Sequence, residues 1–102
     1  MIAYSPADLA HHLARARAQG IRLRATGRPL TYQATSSQPN QPGYVVRVSP
    51  DLMSAACSCP SPSCCKHGAA GISAARKARA HDAAQTLRRH QMWTKQLAAA
   101  AA

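Results

Sequence analysis

The sequence contains no glutamate and no phenylalanine, and it has only one tryptophan among its 102 residues. Leucine, isoleucine and valine together number thirteen, so much of the 46% apolar fraction is alanine. A chain of this length with few large apolar side chains buries a modest core. Small scaffolds of this kind usually need a stabilising element, such as a metal site or disulfides, in addition to their core. The composition therefore predicts one domain at most, with such an element besides its core.

The sequence also lacks a membrane span and a signal peptide. No stretch reaches the roughly 18 apolar residues that a membrane helix needs. The N-terminal segment MIAYSPADLA has no cationic stretch followed by an apolar run. We therefore expect a soluble cytoplasmic protein. Because thiols are normally kept reduced there, this expectation favours metal binding over disulfides for the four cysteines.

Negative charge is scarce in this chain. Thirteen lysines and arginines face three aspartates, which gives a formal net charge of +10. A field of this sign attracts phosphates and acidic surfaces. The alternative is a basic surface that only keeps the protein soluble. The near absence of acids in so small a domain favours a polyanionic partner.

The N-terminal part of the chain predicts one helix and one hairpin. Ser5-Pro6-Ala7-Asp8 is typical of a helix start, with Ser5 as the cap, and Gly20 is a fitting stop. The segments IRLRATG and LTYQA alternate apolar and polar side chains, as half-buried strands do. Gly27-Arg28-Pro29 can turn the chain between them. The polar stretch TSSQPNQPG that follows predicts a mobile loop.

The rest of the chain predicts two strands and a helical segment. YVVRV alternates, Ser49-Pro50-Asp51 has turn chemistry, and the segment from Leu52 to Cys59 is interpreted as the returning strand. From about Lys66 the chain is rich in alanine and arginine and predicts a helix. Asp82 can cap a new helix, so we expect a break near residue 81. The fold class predicted is α+β, with an N-terminal helix, short antiparallel strands and a C-terminal helical segment.

All four cysteines lie in the run CSCPSPSCCKH at residues 57–67. Bridges between Cys57 and Cys59 or between Cys64 and Cys65 would be strained, whereas crossed pairs such as Cys57–Cys65 remain possible. Cys57 and Cys59 are two apart on a predicted strand, so both sulfurs can face one ion. Cys65 and His67 converge only if Cys65 lies in the turn and His67 in the first helical turn. Three thiolates and an imidazole in a tetrahedron suit Zn²⁺.

This pattern of C-x-C, a short spacer and C-x-H resembles the SWIM zinc finger, with Cys57, Cys59, Cys65 and His67 in its ligand positions. The flanks resemble the family too, because YVVRVSPDLMSAACSC leads into the first pair and KHGAAGISAA follows the second. The resemblance covers roughly residues 44–78 and implies a zinc-stabilised module that contacts DNA or another protein. We expect a single domain over 1–102. Its parts are an N-terminal helix plus hairpin (1–43), a SWIM-like zinc-binding ββα module (44–80) and a C-terminal helix with an Ala tail (81–102).

Cys64 departs from the family pattern, since it adds a thiol beside the third ligand position. Cys64 and His67 would also make a reasonable zinc pair at helical spacing. The family pattern selects Cys65 instead. Cys64 is then a small buried side chain, a stand-in ligand or an oxidation-prone neighbour.

The sequence does not favour an enzyme. A catalytic zinc keeps one position open for water, whereas four protein ligands close this site. A deaminase-type zinc site also needs a glutamate, which the chain lacks. We therefore expect a non-catalytic zinc-binding module that contacts nucleic acid, with DNA preferred, mainly through phosphates. The candidate contacts lie on a predicted strand and along the C-terminal helical segment: Arg22, Arg24, Lys66, Arg76, Lys77, Arg79, Arg88 and Arg89.

A zinc-stabilised protein adapter is the alternative interpretation. Leu87, Trp93 and Leu97 share a face of the C-terminal helix and could bind a protein partner or a second copy. They could equally pack on the core of the module itself. The resemblance implies that such an adapter would serve a recombination, repair or transposition-type complex. We expect neither a membrane partner nor a small-molecule substrate.

Overall fold

The computed structural model describes residues 1–36, 43–61 and 63–101. In these ranges the chain forms two helices and five strands. The helices are α1 (Pro6–Ala18) and α2 (Lys66–Ala101), and the strands are β1 (Ile2–Ala3), β2 (Arg22–Ala25), β3 (Thr31–Thr35), β4 (Tyr44–Val48) and β5 (Ser54–Cys57). The expected α+β class is confirmed. Most of the loop predicted between β3 and β4 lies outside the described residues.

Helix α1 begins and ends as the sequence predicts. The Ser5 hydroxyl oxygen accepts a hydrogen bond from the Asp8 backbone N–H at 3.1 Å, and Pro6 occupies the first turn. Gly20 leaves the helix with a φ of 67°, a conformation that glycine adopts without a steric penalty. Helix α1 then packs beside α2, with Leu9 and Leu13 against the core.

The five strands form one antiparallel sheet in the order β1-β5-β4-β3-β2. The two predicted hairpins are present, and β4 pairs with β3 to join them. Strand β5 begins later than predicted, at Ser54, because the turn before it extends through Leu52, which has a φ of 60°. Strand β1 was not predicted. It pairs Ile2 with Ala55 and Ala3 with Ser54 at the outer edge of β5.

The core lies between the sheet and the first part of α2. Val46 and Ile72 are its largest fully buried side chains. Small residues on α2 let the helix approach the strands closely. A Cβ added at Gly71 would lie 2.5 Å from Cγ1 of Val46, well inside van der Waals contact. The thin core expected from the composition is therefore built by close backbone approach around a few aliphatic side chains.

The opposite face of the sheet carries exposed polar side chains. Successive strand residues point to opposite faces, so the neighbours of buried Ala34 and Val46 point away from α2. Three arginines lie on this face, which we call the open sheet face: Arg22, Arg24 and Arg47.

Helix α2 is continuous from Lys66 to Ala101, so the predicted break near residue 81 is wrong. Asp82 lies inside the helix, where the surrounding alanines and other good helix formers favour continuation over a new cap. Every side chain from residue 76 to residue 100 is exposed. We call residues 76–100 the projecting segment. At 1.5 Å per residue it is about 37 Å long, and the longest dimension of the molecule is 62 Å.

Candidate metal centre

Four side chains from the cysteine run converge at one end of the sheet. The ligand atoms of Cys57, Cys59, Cys65 and His67 all lie within 4.8 Å of one another. Cys57 is the last residue of β5, and Cys59 lies beyond the strand. The expectation that both cysteines lie on one strand is therefore wrong. The chain bends from Ser58 onward, and the two sulfurs nonetheless lie at the same site.

A backbone connection to β4 holds the first pair of cysteines, which we call the first arm. Ser58 lies between them, and its N–H donates to the Val45 carbonyl oxygen at 3.0 Å. Its side-chain oxygen accepts from the Val45 N–H at 2.9 Å. The two bonds extend the β4–β5 hairpin by one step. They fix the segment that carries Cys57 and Cys59 without any contribution from the second pair.

The start of α2 holds the second arm, Cys65 and His67. Cys65 immediately precedes the helix and His67 lies in its first turn, as convergence of the pair requires. The Gly68 N–H donates to the Cys65 sulfur at 3.3 Å. The Tyr44 ring lies against the His67 ring, with centroids 5.0 Å apart.

Burial shifts the protonation of two of the four groups. Burial is the main cause that raises the pKa of the Cys57 thiol, to about 12. Burial also lowers the pKa of His67, and the nearby Lys66 charge lowers it further. The histidine is thus held neutral, which is the form that ligates a metal. A metal cation bound among the donors would supply the positive charge that stabilises the Cys57 thiolate.

The geometry and chemistry of these donors fit one tetrahedral metal ion. With metal–sulfur distances of about 2.3 Å, neighbouring sulfurs of a tetrahedral zinc site are about 3.8 Å apart. The donors therefore need to draw together by at most about 1 Å from their 4.8 Å spacing. Nδ1 of His67 is buried and has no hydrogen-bond partner among the described residues. The group as a whole can hold a metal ion.

Cys64 lies outside this group of four. Its thiol is half-buried and donates to the Ala3 carbonyl oxygen at 3.6 Å. The adjacent cysteines therefore point in different directions, with Cys65 towards the other donors and Cys64 towards β1.

A cavity of about 360 Å³ lies beside the donors, between α1 and the start of α2. Its wall includes Cys59, Cys65 and His67 together with two cations, Arg15 and Lys66. Lys66 donates to the side-chain oxygen of Gln19 at the end of α1. The two cations place positive charge on the wall of this cavity, which Cys59 and Cys65 of the donor group also line. Arg15 was not among the predicted site residues.

The predicted nucleic-acid contacts fall on two separate surfaces. Arg22 and Arg24 lie on the open sheet face, where Arg47 joins them although it was not among the predicted contacts. The remaining predicted residues lie along α2. Because α2 covers the other face of the sheet, the two sets do not form one continuous patch.

Two of the arginines on α2 make hydrogen bonds within the protein. Arg76 Nε donates to the Leu52 carbonyl oxygen at 3.1 Å, and an Arg79 guanidinium nitrogen donates to the Pro50 carbonyl oxygen at 2.7 Å. Both bonds tie the turn between β4 and β5 to the helix. These side chains therefore have a structural use, whereas Lys77, Arg88 and Arg89 are exposed and make no such bond within the described residues.

Comparison of the chain with protein-family models, curated proteins and solved structures found no match. The resemblance to the SWIM finger thus depends on ligand spacing and flanking sequence alone. Within the described residues, no helix has a stretch that is long and apolar enough to cross a membrane.

Proposed function

We propose that this protein is a zinc-binding module of the SWIM type that binds DNA through the phosphate backbone. The distribution of charge along α2 is the observation that carries the proposal. Exposed cations recur along the projecting segment from Arg76 to Lys95, and Asp82 is its only acidic residue. A charged duplex would meet little repulsion along this helix.

Three of these cations lie on one line. Lys77, Arg88 and Lys95 are separated by eleven and seven residues, which are close to three and two whole helical turns. They form a row about 27 Å long, which we call the cation stripe. Duplex DNA carries a negative charge about every 1.7 Å along its axis, so several phosphates lie within reach of such a row. Lys95 joins the predicted contacts because of this alignment.

The metal has a structural role in this proposal. Zn²⁺ bound by four protein donors completes its tetrahedron and keeps no position for a reacting water. It would connect the first turn of α2 to the end of β5, and so fix the base from which the projecting segment extends. Three thiolates and one Zn²⁺ together carry a charge of −1, so the formal charge of the loaded protein falls only from +10 to +9.

Salt dependence of DNA binding tests the proposal. The affinity for a fluorescent duplex should fall by about 0.9 log units per tenfold rise in salt for each phosphate neutralised. About four contacts give a slope near −3 to −4. Replacing Lys77, Arg88 and Lys95 together by alanine should weaken binding and flatten this slope by about 2 to 3.

A variant with Arg22, Arg24 and Arg47 replaced by alanine is the matched control, because it removes the same charge from the open sheet face. Equal losses in both variants would mean that only the overall charge matters. No binding by the wild-type protein to any duplex or single strand at low salt would contradict the proposal. Tighter binding to RNA duplexes than to DNA would correct the ligand class.

A second candidate function, a protein adapter, is favoured by the exposed apolar residues of the projecting segment. Leu87, Trp93 and Leu97 are 57%, 61% and 54% exposed. Trp93 and Leu97 are each two residues from Lys95 and so lie on the side of the helix away from the cation stripe. Sedimentation of the wild-type protein and of a Trp93→Gln/Leu97→Gln variant tests self-association through this side. Met92→Gln, which changes an exposed apolar residue elsewhere on the helix, is the control.

A further inference from the structure

The N-terminal segment of the chain contacts the strand that leads to the first arm, and it contacts Cys65 in the second arm. Strand β1 pairs with β5, whose last residue is Cys57. Directly after β1, the Tyr4 N–H donates to the Met53 carbonyl oxygen at 2.9 Å, so the segment is tied to the approach to β5. The Tyr4 side chain then extends to Cys65 in the second arm, 61 residues away along the chain.

The Tyr4 hydroxyl makes two hydrogen bonds to the backbone of Cys65. Its oxygen accepts from the Cys65 N–H at 2.8 Å, and its proton is donated to the Cys65 carbonyl oxygen at 3.0 Å. The oxygen also lies 3.9 Å from the Cys65 sulfur. The Cys65 carbonyl oxygen also accepts the first backbone bond of α2, from the Ala69 N–H at 3.1 Å, so Tyr4 adds to the helix at this group. One phenol group thus fixes the peptide units on both sides of the Cys65 Cα.

The surroundings of Tyr4 hold this hydroxyl in place. The side chain is only 5% exposed. Gly68 leaves the space that the ring occupies, since a Cβ there would lie 2.2 Å from the Tyr4 oxygen. The contact is therefore specific to tyrosine at one position and to glycine at the other.

We propose that Tyr4 is a positioning residue of the metal centre, which orients Cys65 towards the other three donors before a metal binds. Fixing the backbone on both sides of a ligand removes conformations that binding would otherwise have to exclude, so affinity rises. Groups that orient metal ligands are typically responsible for a 10- to 100-fold gain in metal affinity. The inference rests on metal binding by this cluster, which belongs to the proposed function.

Tyr4→Phe tests this role because it removes the hydroxyl and keeps the ring. Zinc affinity, measured by competition with a chromophoric chelator, should fall about 10- to 100-fold. If the lower affinity is due to faster dissociation of zinc, zinc transfer to excess chelator should be faster by a similar factor. Tyr32→Phe is the matched control, because Tyr32 is half-buried in β3, two strands across the sheet from Cys57. It should keep wild-type affinity.

Spectroscopy separates positioning from a general loss of stability. Co²⁺ bound in place of zinc should show altered ligand-field bands in Tyr4→Phe and unaltered bands in Tyr32→Phe. Gly68→Ala should reproduce the Tyr4→Phe effect by displacing the ring, and the double variant should lose less than the sum of the two. Wild-type affinity and spectra in Tyr4→Phe would overturn the inference. A wild-type protein that binds no metal would instead overturn the metal site itself.

Discussion

Cys64 and Cys65 are neighbours in the chain, yet the structure gives them different surroundings. Cys65 precedes α2, receives the Gly68 N–H and lies with the other donors. Cys64 points to the Ala3 carbonyl oxygen and is absent from the donor group. Because a thiol one residue away cannot occupy the same position without moving the start of the helix, the two are not equivalent ligands.

Serine substitutions test this difference. Cys65→Ser should lose the bound metal, because a hydroxyl is a much weaker zinc ligand than a thiolate. Cys64→Ser should keep one zinc per chain. Metal analysis of both variants, purified without added zinc, checks the expectation. Retention of zinc by Cys65→Ser together with its loss from Cys64→Ser would reverse the assignment.

The donor set was accessible to sequence reasoning, whereas its supports were not. The spacing of the donors predicts one shared ion. Each pair has ligands two residues apart, and only a short spacer separates the pairs, so this prediction does not depend on the local backbone conformation. The expectation that Cys59 lies on the strand was wrong, since β5 ends at Cys57 and the chain bends after it. The two sulfurs lie at one site all the same. No local pattern links Tyr4 to Cys65, because their contact joins positions 61 residues apart.

At the scale of elements, alternation and turn chemistry predicted β2 to β5 and the start of both helices. Strand β1 was not predicted, because two residues are too few to show an alternating pattern. They form a strand only because they pair with the edge of β5. The break near residue 81 was wrong for another reason. A potential cap at Asp82 competes with continuous helix, and high helix propensity on both sides favours continuation.

The projecting segment should be separable from the folded body. Ending the chain after Ala80 removes only exposed side chains, so the midpoint of thermal unfolding and the zinc content should stay unchanged. Circular dichroism should show less helix. Ile72→Ala is the contrasting change, because it empties a fully buried position and should cost about 2 to 5 kcal/mol. A marked drop in stability on truncation would mean that the segment packs against the body or a second copy.

At the scale of the whole molecule, the candidate metal centre lies between β5 and α2, which also share a small buried core. The buried aliphatic set has few large members, with Val46 and Ile72 the largest that are fully buried. The donors come from the end of β5, the bend after it and the start of α2. A metal there would connect the β4–β5 hairpin to the helix in addition to the core.

Metal removal should therefore unfold the region from Tyr44 to about Ala75. Structural zinc can supply about 10 kcal/mol or more of apparent binding free energy, which is comparable with the whole stability of a small domain. A strong chelator should abolish the cooperative melting transition, and amide hydrogens of β4, β5 and the first turns of α2 should lose their protection.

The projecting segment provides the internal control for this experiment, because its amides should exchange quickly with or without zinc. Unchanged protection of β4 after complete metal removal would contradict the prediction. In that case the contacts of Tyr4 with Cys65, and those of Arg76 and Arg79 with the β4–β5 turn, would suffice to hold the body together. The comparison thus measures how much of the fold is due to the metal and how much to the hydrogen bonds around it.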